Sequence, residues 1–274
     1  MHTVREVVKY LRQIAPVELT VGGLTDRLEI GPQTETEQSN TAVRRIMITS
    51  YPSSRNVARA SQEKANLMIT AFPLFPRPVD RLAEHDLLRV RLLSKNYISS
   101  YYIGTAFVSA RDGLSDALAE RLGASVVRNF GVEGDYRTDV PIGRICRLED
   151  EMNHSLFADR VMAKLGIEQV IFSGNLDDNV GEFLVVAGIQ LGVTEILGAA
   201  ESDLRTIITG DLAPDARTFA HERGISTLEV GSVTTTEPGM KRLRYQMSLE
   251  FKDISVEFVE SQPVYKTLVS PSRM

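Results

Sequence analysis

Tryptophan is absent from this 274-residue chain, cysteine occurs once and histidine four times. A lone thiol, Cys146, makes no internal disulfide, and one cysteine with four scattered imidazoles lacks the spacing of a zinc knuckle. The usage fits a reducing compartment, so a cytoplasmic location is expected. No run of about 18 apolar residues occurs, so no membrane-spanning helix is expected. Arg5, Glu6, Lys9 and Arg12 interrupt the opening segment where a secretory signal is uniformly apolar. Basic excess is missing too: a formal charge of −5 argues against a nucleic-acid or membrane-surface partner. There is no G-x-G-x-x-G stretch, no Walker loop, and no Ser or Cys paired with His at an elbow motif.

What is present is the composition of an ordinary globular protein, 43% apolar and 24% charged. Thr3 and Glu6 have capping-box spacing, and Val4, Val7, Val8, Leu11 and Ile14 recur at helical intervals up to Pro16. "PQTETEQSNT" (32–41) reads as a surface loop, followed by a strand "RRIMITS", a turn "YPSSR", a helix over about 55–64 and a strand "NLMIT". The second half echoes the first. A shift of 139 places Ile46 on Val185, Met47 on Val186, Val57 on Ile196, Ala60 on Ala199, Ile69 on Ile208 and Thr70 on Thr209. A shift of 127 places Ile98, Ser99, Ile103 and Gly104 on Ile225, Ser226, Val230 and Gly231. The pattern predicts an α/β fold of two similar lobes from an internal duplication, over 1–130 and 131–274, with mixed sheets flanked by helices and chain ends that cross over. The strand-closing stretches "TAFP", "GTAFV", "TGDL" and "GSVTTTEPG" are expected to meet at a cleft between the lobes.

Seven segments in this order resemble the Nif-three-like family, also known as type-two GTP cyclohydrolase homologues: "VREVVKYLRQIAP", "ANLMITAFP", "DGLSDALAERLGA", "PIGRICRLEDEM", "ADRVMAKLG", "LRTIITGDL" and "VGSVTTTEPG". The resemblance runs over about 4–260 and implies two adjacent metal ions held by His and carboxylate side chains, which together generate a hydroxide for hydrolysis. It also implies homo-oligomers, commonly rings of six. Carried over one by one, the family's Thr-His-His-Pro histidines fall on Ala71 and Phe72, after Thr70. Its His-Thr-Asn-Leu-Asp ligands fall on Gly104 and Val108, and the His and Glu of its last loop on Ser232 and Thr236. Methyl, phenyl and isopropyl groups offer no lone pair, and Ser or Thr hydroxyls are weak ligands. The expectation is a metal-free, degenerate site with no cofactor, in an oligomeric binding or regulatory protein that takes a small molecule or nothing in the old cleft.

The alternative is a divergent hydrolase of a nucleotide or other phosphorylated compound, with Asp112, Asp211 and Glu237 around one hard cation such as Mg²⁺; each of the three reads equally as a solvated or capping carboxylate. Ser53, Ser54 and Arg55, at a strand-to-helix turn, form the anion-binding candidate, with a plain helix cap as the competing reading. His85, His154 and His221 read as surface or partly buried histidines, and Cys146 as a core strand position. Phe72, Phe75, Tyr101, Tyr102 and Phe107 are placed either to line the cleft or, with Phe72 and Val108, to plug it. The acidic turn at Asp177 and Asp178 is too short for a calcium loop. "SLEFKDISVEFVE" alternates and predicts an edge hairpin or strand pair, and Val264, Tyr265, Leu268 and Val269 in the tail are placed to dock on a neighbour.

Overall fold

The computed structural model describes residues 2–261. The expectation for the apolar tail at Val264, Tyr265, Leu268 and Val269 lies outside them.

A two-residue strand β1 (His2–Thr3) enters α1 (Val4–Ile14) through the expected capping box, Glu6 accepting from the Thr3 amide at 2.8 Å and Thr3 Oγ1 from the Glu6 amide at 3.4 Å. A 3₁₀ turn (Val17–Leu19) precedes β2 (Arg27–Ile30). The stretch expected as a loop over 32–41 contains a short helix, α2 (Glu35–Asn40). Thr34 and Glu37 form a second capping box there, a local signal strong enough to turn a polar stretch helical. The half continues through β3 (Ala42–Val43), β4 (Arg45–Thr49), α3 (Ser54–Gln62), β5 (Leu67–Thr70), α4 (Glu84–Lys95), β6 (Ser99–Tyr102), α5 (Ala106–Ser109) and α6 (Leu114–Leu122). Then come β7 (Ser125–Val132), β8 (Val140–Arg147), α7 (His154–Leu165), β9 (Ile171–Ser173), β10 (Phe183–Val186), β11 (Gln190–Leu191), α8 (Val193–Glu201), β12 (Thr206–Thr209), β13 (Asp211–Leu212), α9 (Pro214–Glu222), β14 (Ser226–Glu229), α10 (Ser232–Glu250) and β15 (Ser255–Phe258).

Two mixed sheets carry the fold, ordered β15-β4-β5-β6-β2 and β7-β8-β10-β12-β14-β9. β7 already pairs with β8, so a division at residue 130 falls inside a strand of the second sheet. β15 crosses back and runs parallel to β4 at the edge of the first sheet. Of the expected edge hairpin or strand pair, the strand pair is the one formed: "SLE" ends α10, and the alternating residues pair at the sheet edge with β4, in the other half of the chain.

The repeat has a counterpart in geometry. β4-β5-β6-β2 and β10-β12-β14-β9 share the sequence parallel, parallel, antiparallel. Thr70 pairs with Tyr102 as Thr209 pairs with Glu229, in agreement with both shifts. Gly31 (φ 121°) lies against Ser99 as Gly174 (φ 140°) lies against Ser226. Only the first strand differs. Ile48 faces Ile69 while Val185 faces Ile208, so Ile48, rather than Ile46, is the partner of Val185. The connection to the following helix is longer in the second half (187–192 against 50–53), and it accommodates β11.

Strands buried on both faces need apolar side chains throughout, and here successive residues go to different cores. Met47 and Met68 pack with Val57 and Ala60 of α3 and Leu93 of α4. Leu184, Val186 and Ile207 pack with α8 and α9. The alternate residues, Ile46, Ile48, Ile69, Val185, Ile208 and Leu228, enter one continuous core together with α1, α6, α7 and α10. Within it, Arg144 of β8 is buried, pairs with Asp116, and donates to the carbonyls of Pro141 (2.7 Å), Gly143 (3.0 Å), Ser109 (3.1 Å) and Ala110 (3.3 Å). It ties the turn after α5 to the second sheet.

His154, expected at the surface or partly buried, is enclosed at 2% exposure. Its ring contacts Asn175 O at 3.0 Å and Thr206 Oγ1 at 2.9 Å, and burial lowers its pKa from 6.5. Between that lowered value and 6.5 the unfolded chain binds the proton that the folded one refuses, so stability is full above 6.5 and falls as pH drops through this window. Denaturant unfolding against pH is expected to show this decline, and His154→Gln to flatten it. Arg144→Ala is expected to cost roughly 3 kcal/mol or more, read in the same assay, because it orphans Asp116 and several buried carbonyls.

Candidate functional site

Each half ends its third parallel strand in the same way. The Ile103 amide donates to Thr70 O and the Val230 amide to Thr209 O, both at 3.0 Å, and a glycine with positive φ follows, Gly104 at 80° and Gly231 at 89°. At Gly104 there is no room for any side chain: a Cβ would sit 2.6 Å from the Asp26 amide nitrogen. The segment 20–26 is held over it by Thr105, whose hydroxyl accepts from the Val21 amide at 3.1 Å and contacts Val21 O at 2.8 Å. Asp26 in turn accepts from Arg12 at 2.8 Å and from the Tyr101 hydroxyl, and burial raises the Tyr101 pKa.

Val108, in α5, is 2% exposed and Thr236, in α10, fully buried. Their methyl groups converge on one point beside Gly188, lying 3.5 and 3.1 Å from where a Gly188 Cβ would stand, with Leu114 Cδ1 at 2.7 Å. Two expected ligand positions from opposite halves are thus brought together, in an apolar contact. The Thr236 hydroxyl is turned back to Val233 O at 2.9 Å. "GSVTTTEPG", expected as a loop, forms the first turns of the 19-residue α10, with Pro238 inside the helix. Asp211 sits at its head, accepting from the Ser232 amide (3.2 Å) and hydroxyl. An acidic group there complements the helix dipole, and this is its cap.

One residue further on, Glu237 accepts from the Ser261 amide at 3.0 Å and lies 3.6 Å from Lys241; burial raises its pKa. The Ser261 hydroxyl enters a buried knot with Thr49 Oγ1 (3.1 Å), the Tyr51 amide (3.0 Å) and Asn56 Nδ2 (3.3 Å). Glu237 therefore holds the chain's return to the first sheet. Asp112 is 3.7 Å from Arg242 of α10. Asp112, Asp211 and Glu237 thus have separate partners, and among the described residues no three His, Cys, Asp or Glu side chains gather as a metal site.

The Ala71 and Phe72 amides both donate to Ser50 O, at 3.1 and 3.0 Å. Ala71 packs on the shared core, and the half-buried Phe72 ring tilts against Tyr51 at 6.1 Å. The aromatic set divides: Phe107 is core, Tyr102 lies under Arg27 at 5.1 Å, and Phe75 meets Arg89 at 5.7 Å. Arg89, on α4, is buried and donates to Pro52 O at 3.1 Å. Ser53 accepts from the Asn56 amide at 3.2 Å and caps α3, with Ser54 and Arg55 in its first turn. Cys146 is fully buried in β8, and burial pushes its thiol up to about 12. Gly188, Ser261 and Arg144 had no sequence signal of their own; Gly188 alone stands in a turn-like "AGIQLG" stretch.

Comparison with known proteins fits this frame. The model of the family described as Duf34/NIF3 (NGG1p interacting factor 3) matches residues 2–264. The GTP cyclohydrolase 1 type 2 homolog of Clostridium perfringens is 26% identical over 265 residues, covering 94% of this chain and 95% of its own. Its namesake in Methanocaldococcus jannaschii is 23% identical over 256 residues, 93% and 99% of the two chains. Among solved structures, the Bacillus cereus protein related to NIF3 superposes with a TM-score of 0.79 at 18% identity over 98% of this chain and 99% of that one. Reduced HcgD from Methanocaldococcus jannaschii gives 0.76 at 21% identity, over 94% and 97%.

Val108→Ala is expected to cost about 2 kcal/mol, as a cavity in a packed core. Val108→Asp should cost more than about 3 kcal/mol, because it buries a carboxylate without a cation. Denaturant unfolding of both variants, with and without added Mn²⁺ or Zn²⁺, checks this; recovery of Val108→Asp by either ion would mean that the position still opens on a working metal centre. Gly104→Ala is expected to destabilise by at least about 1–3 kcal/mol, from positive φ and the Asp26 contact together.

Proposed function

The chain belongs to the Duf34/NIF3 family, and on that premise we propose that it is a metal-free member, an oligomeric binding or regulatory protein whose old dimetal site has become structural packing. The observation that carries this is the meeting of Val108 and Thr236 over Gly188, where methyl groups occupy the junction between the two halves. Gly104 adds a second obstacle, since the Asp26 backbone leaves no room for an imidazole. The side chains at these positions do not fit a pair of divalent ions, which need several nitrogen and oxygen donors.

Duplication of a strand-helix unit accounts for the matched strand orders, and the homo-oligomer, a ring of six, belongs to the same reading, as does a cytoplasmic location. Among the described residues no helix is long and apolar enough to cross a membrane. The hydrolase alternative loses support from Asp211 and Glu237, whose oxygens are engaged by Ser232 and Ser261.

Elemental analysis of the untagged, undialysed protein tests the proposal. Metal at well under about a tenth of an equivalent per chain is expected, since weak hydroxyl ligands hold no stoichiometric ion through purification. Near-stoichiometric Fe, Mn or Zn would overturn it, and size-exclusion chromatography with light scattering on the same sample reads the assembly.

A further inference from the structure

Where α1 gives way to the segment 20–26, Arg12, Pro16, Val17, Glu18, Asp26 and Tyr136 line an open cavity of about 600 Å³. Its buried end is Asp26, whose side chain is 8% exposed and accepts from Arg12 Nε at 2.8 Å and from the Tyr101 hydroxyl. Among the described residues Asp26 is the one carboxylate that pairs with Arg12, and 59% of the Arg12 side chain stays exposed. The guanidinium is thus fixed through Nε with its Nη edge open. Glu18 is exposed and, among the described residues, enters no ion pair. Tyr136 stands on the turn between β7 and β8, which is pinned to the segment 20–26: the Asp135 amide donates to Thr20 O at 3.0 Å and the Gly23 amide to Asp135 Oδ2 at 2.8 Å. The Tyr136 side chain itself is left 60% exposed.

We propose that this cavity binds a free α-amino acid with an aromatic side chain, its carboxylate on Arg12, its ammonium on Glu18 and its ring against Tyr136 and the Pro16–Val17 surface. A guanidinium fork matches a carboxylate in two parallel hydrogen bonds, and one already held by Asp26 loses little freedom in forming them. Arg12 and Asp26 cancel as a pair, which leaves Glu18 as the net charge of the lining. A simple anion is therefore repelled there, and a simple cation leaves the Nη edge unused. A zwitterion satisfies both ends. Val17, 37% exposed, and Tyr136 supply apolar surface that the ligand ring removes from water. A second ring stacks offset on Tyr136 at small entropic cost, because the turn that carries it is already fixed.

This site is independent of the metal-free reading and stands or falls alone. Isothermal titration of the full chain with L-phenylalanine, hydrocinnamate and phenethylamine, each separately, tests it, since the last two lack the ammonium and the carboxylate respectively. L-phenylalanine is expected to bind at least about tenfold more tightly than either, because it alone engages both charges. Glu18→Gln should weaken L-phenylalanine by about tenfold without weakening hydrocinnamate, and Arg12→Gln should weaken it by a similar factor while sparing phenethylamine. Tyr136→Ala should weaken all three. Glu18 and Tyr136 are exposed, so their variants are expected to keep the parent's unfolding midpoint. The proposal is overturned if L-phenylalanine fails to saturate at millimolar concentration or if either analogue binds as tightly. It is equally overturned if Glu18→Gln and Tyr136→Ala, folded by their melting curves, bind L-phenylalanine like the parent.

Discussion

Neither sheet can bury its inner face alone, and this constraint shapes the whole molecule. Ile46, Ile48 and Ile69 from one sheet and Val185, Ile208 and Leu228 from the other need partners, and the helices α1, α6, α7 and α10 supply them in one shared core. A cleft between two independently packed lobes would have left those residues in water. At about 25 cal/mol per Å² of apolar surface, that exposure outweighs any single polar contact in the structure. The strand ends therefore close on a filled junction, and β15 returns across it to complete the first sheet.

The polar groups within the junction follow from the same closure. Arg144 is tolerated in the core because Asp116 and four carbonyls surround it, and removing such partners singly is costly. Ser261, Thr49 and Asn56 satisfy one another where the returning chain meets β4. Asp211 and Glu237, which as sequence look like free carboxylates near a strand-end cleft, are committed to Ser232 and Ser261. A carboxylate that caps a helix head or fixes a chain return is a positional device.

Local chemistry made much of the fold legible. Thr3 and Glu6 announced α1, the β4–α3–β5 pattern announced the first parallel unit, and the shifts of 139 and 127 located equivalent strands. The failures were cases in which two levels competed. Thr34 and Glu37 made a helix in a stretch that polarity marked as loop. "GSVTTTEPG" reads as a strand-closing loop, yet the Asp211 cap and burial of Thr235, Thr236 and Gly239 hold it helical although Thr, Gly and Pro disfavour helix interiors. Alternation in "DISVEFVE" marks a strand, but spacing does not name its partner, since pairing with β4 is a contact between distant parts of the chain.

By itself the sequence determined the class of fold, the internal echo, the family, and the chemical identity of the groups at the expected ligand positions, because residue type and periodicity are local properties. Tertiary structure alone decided that Val108 and Thr236 meet over Gly188, that Asp26 backs onto Gly104, and that Ser261 is a structural knot. Each of these depends on which non-neighbouring surfaces are pressed together to exclude water, and no stretch of chain carries that information on its own.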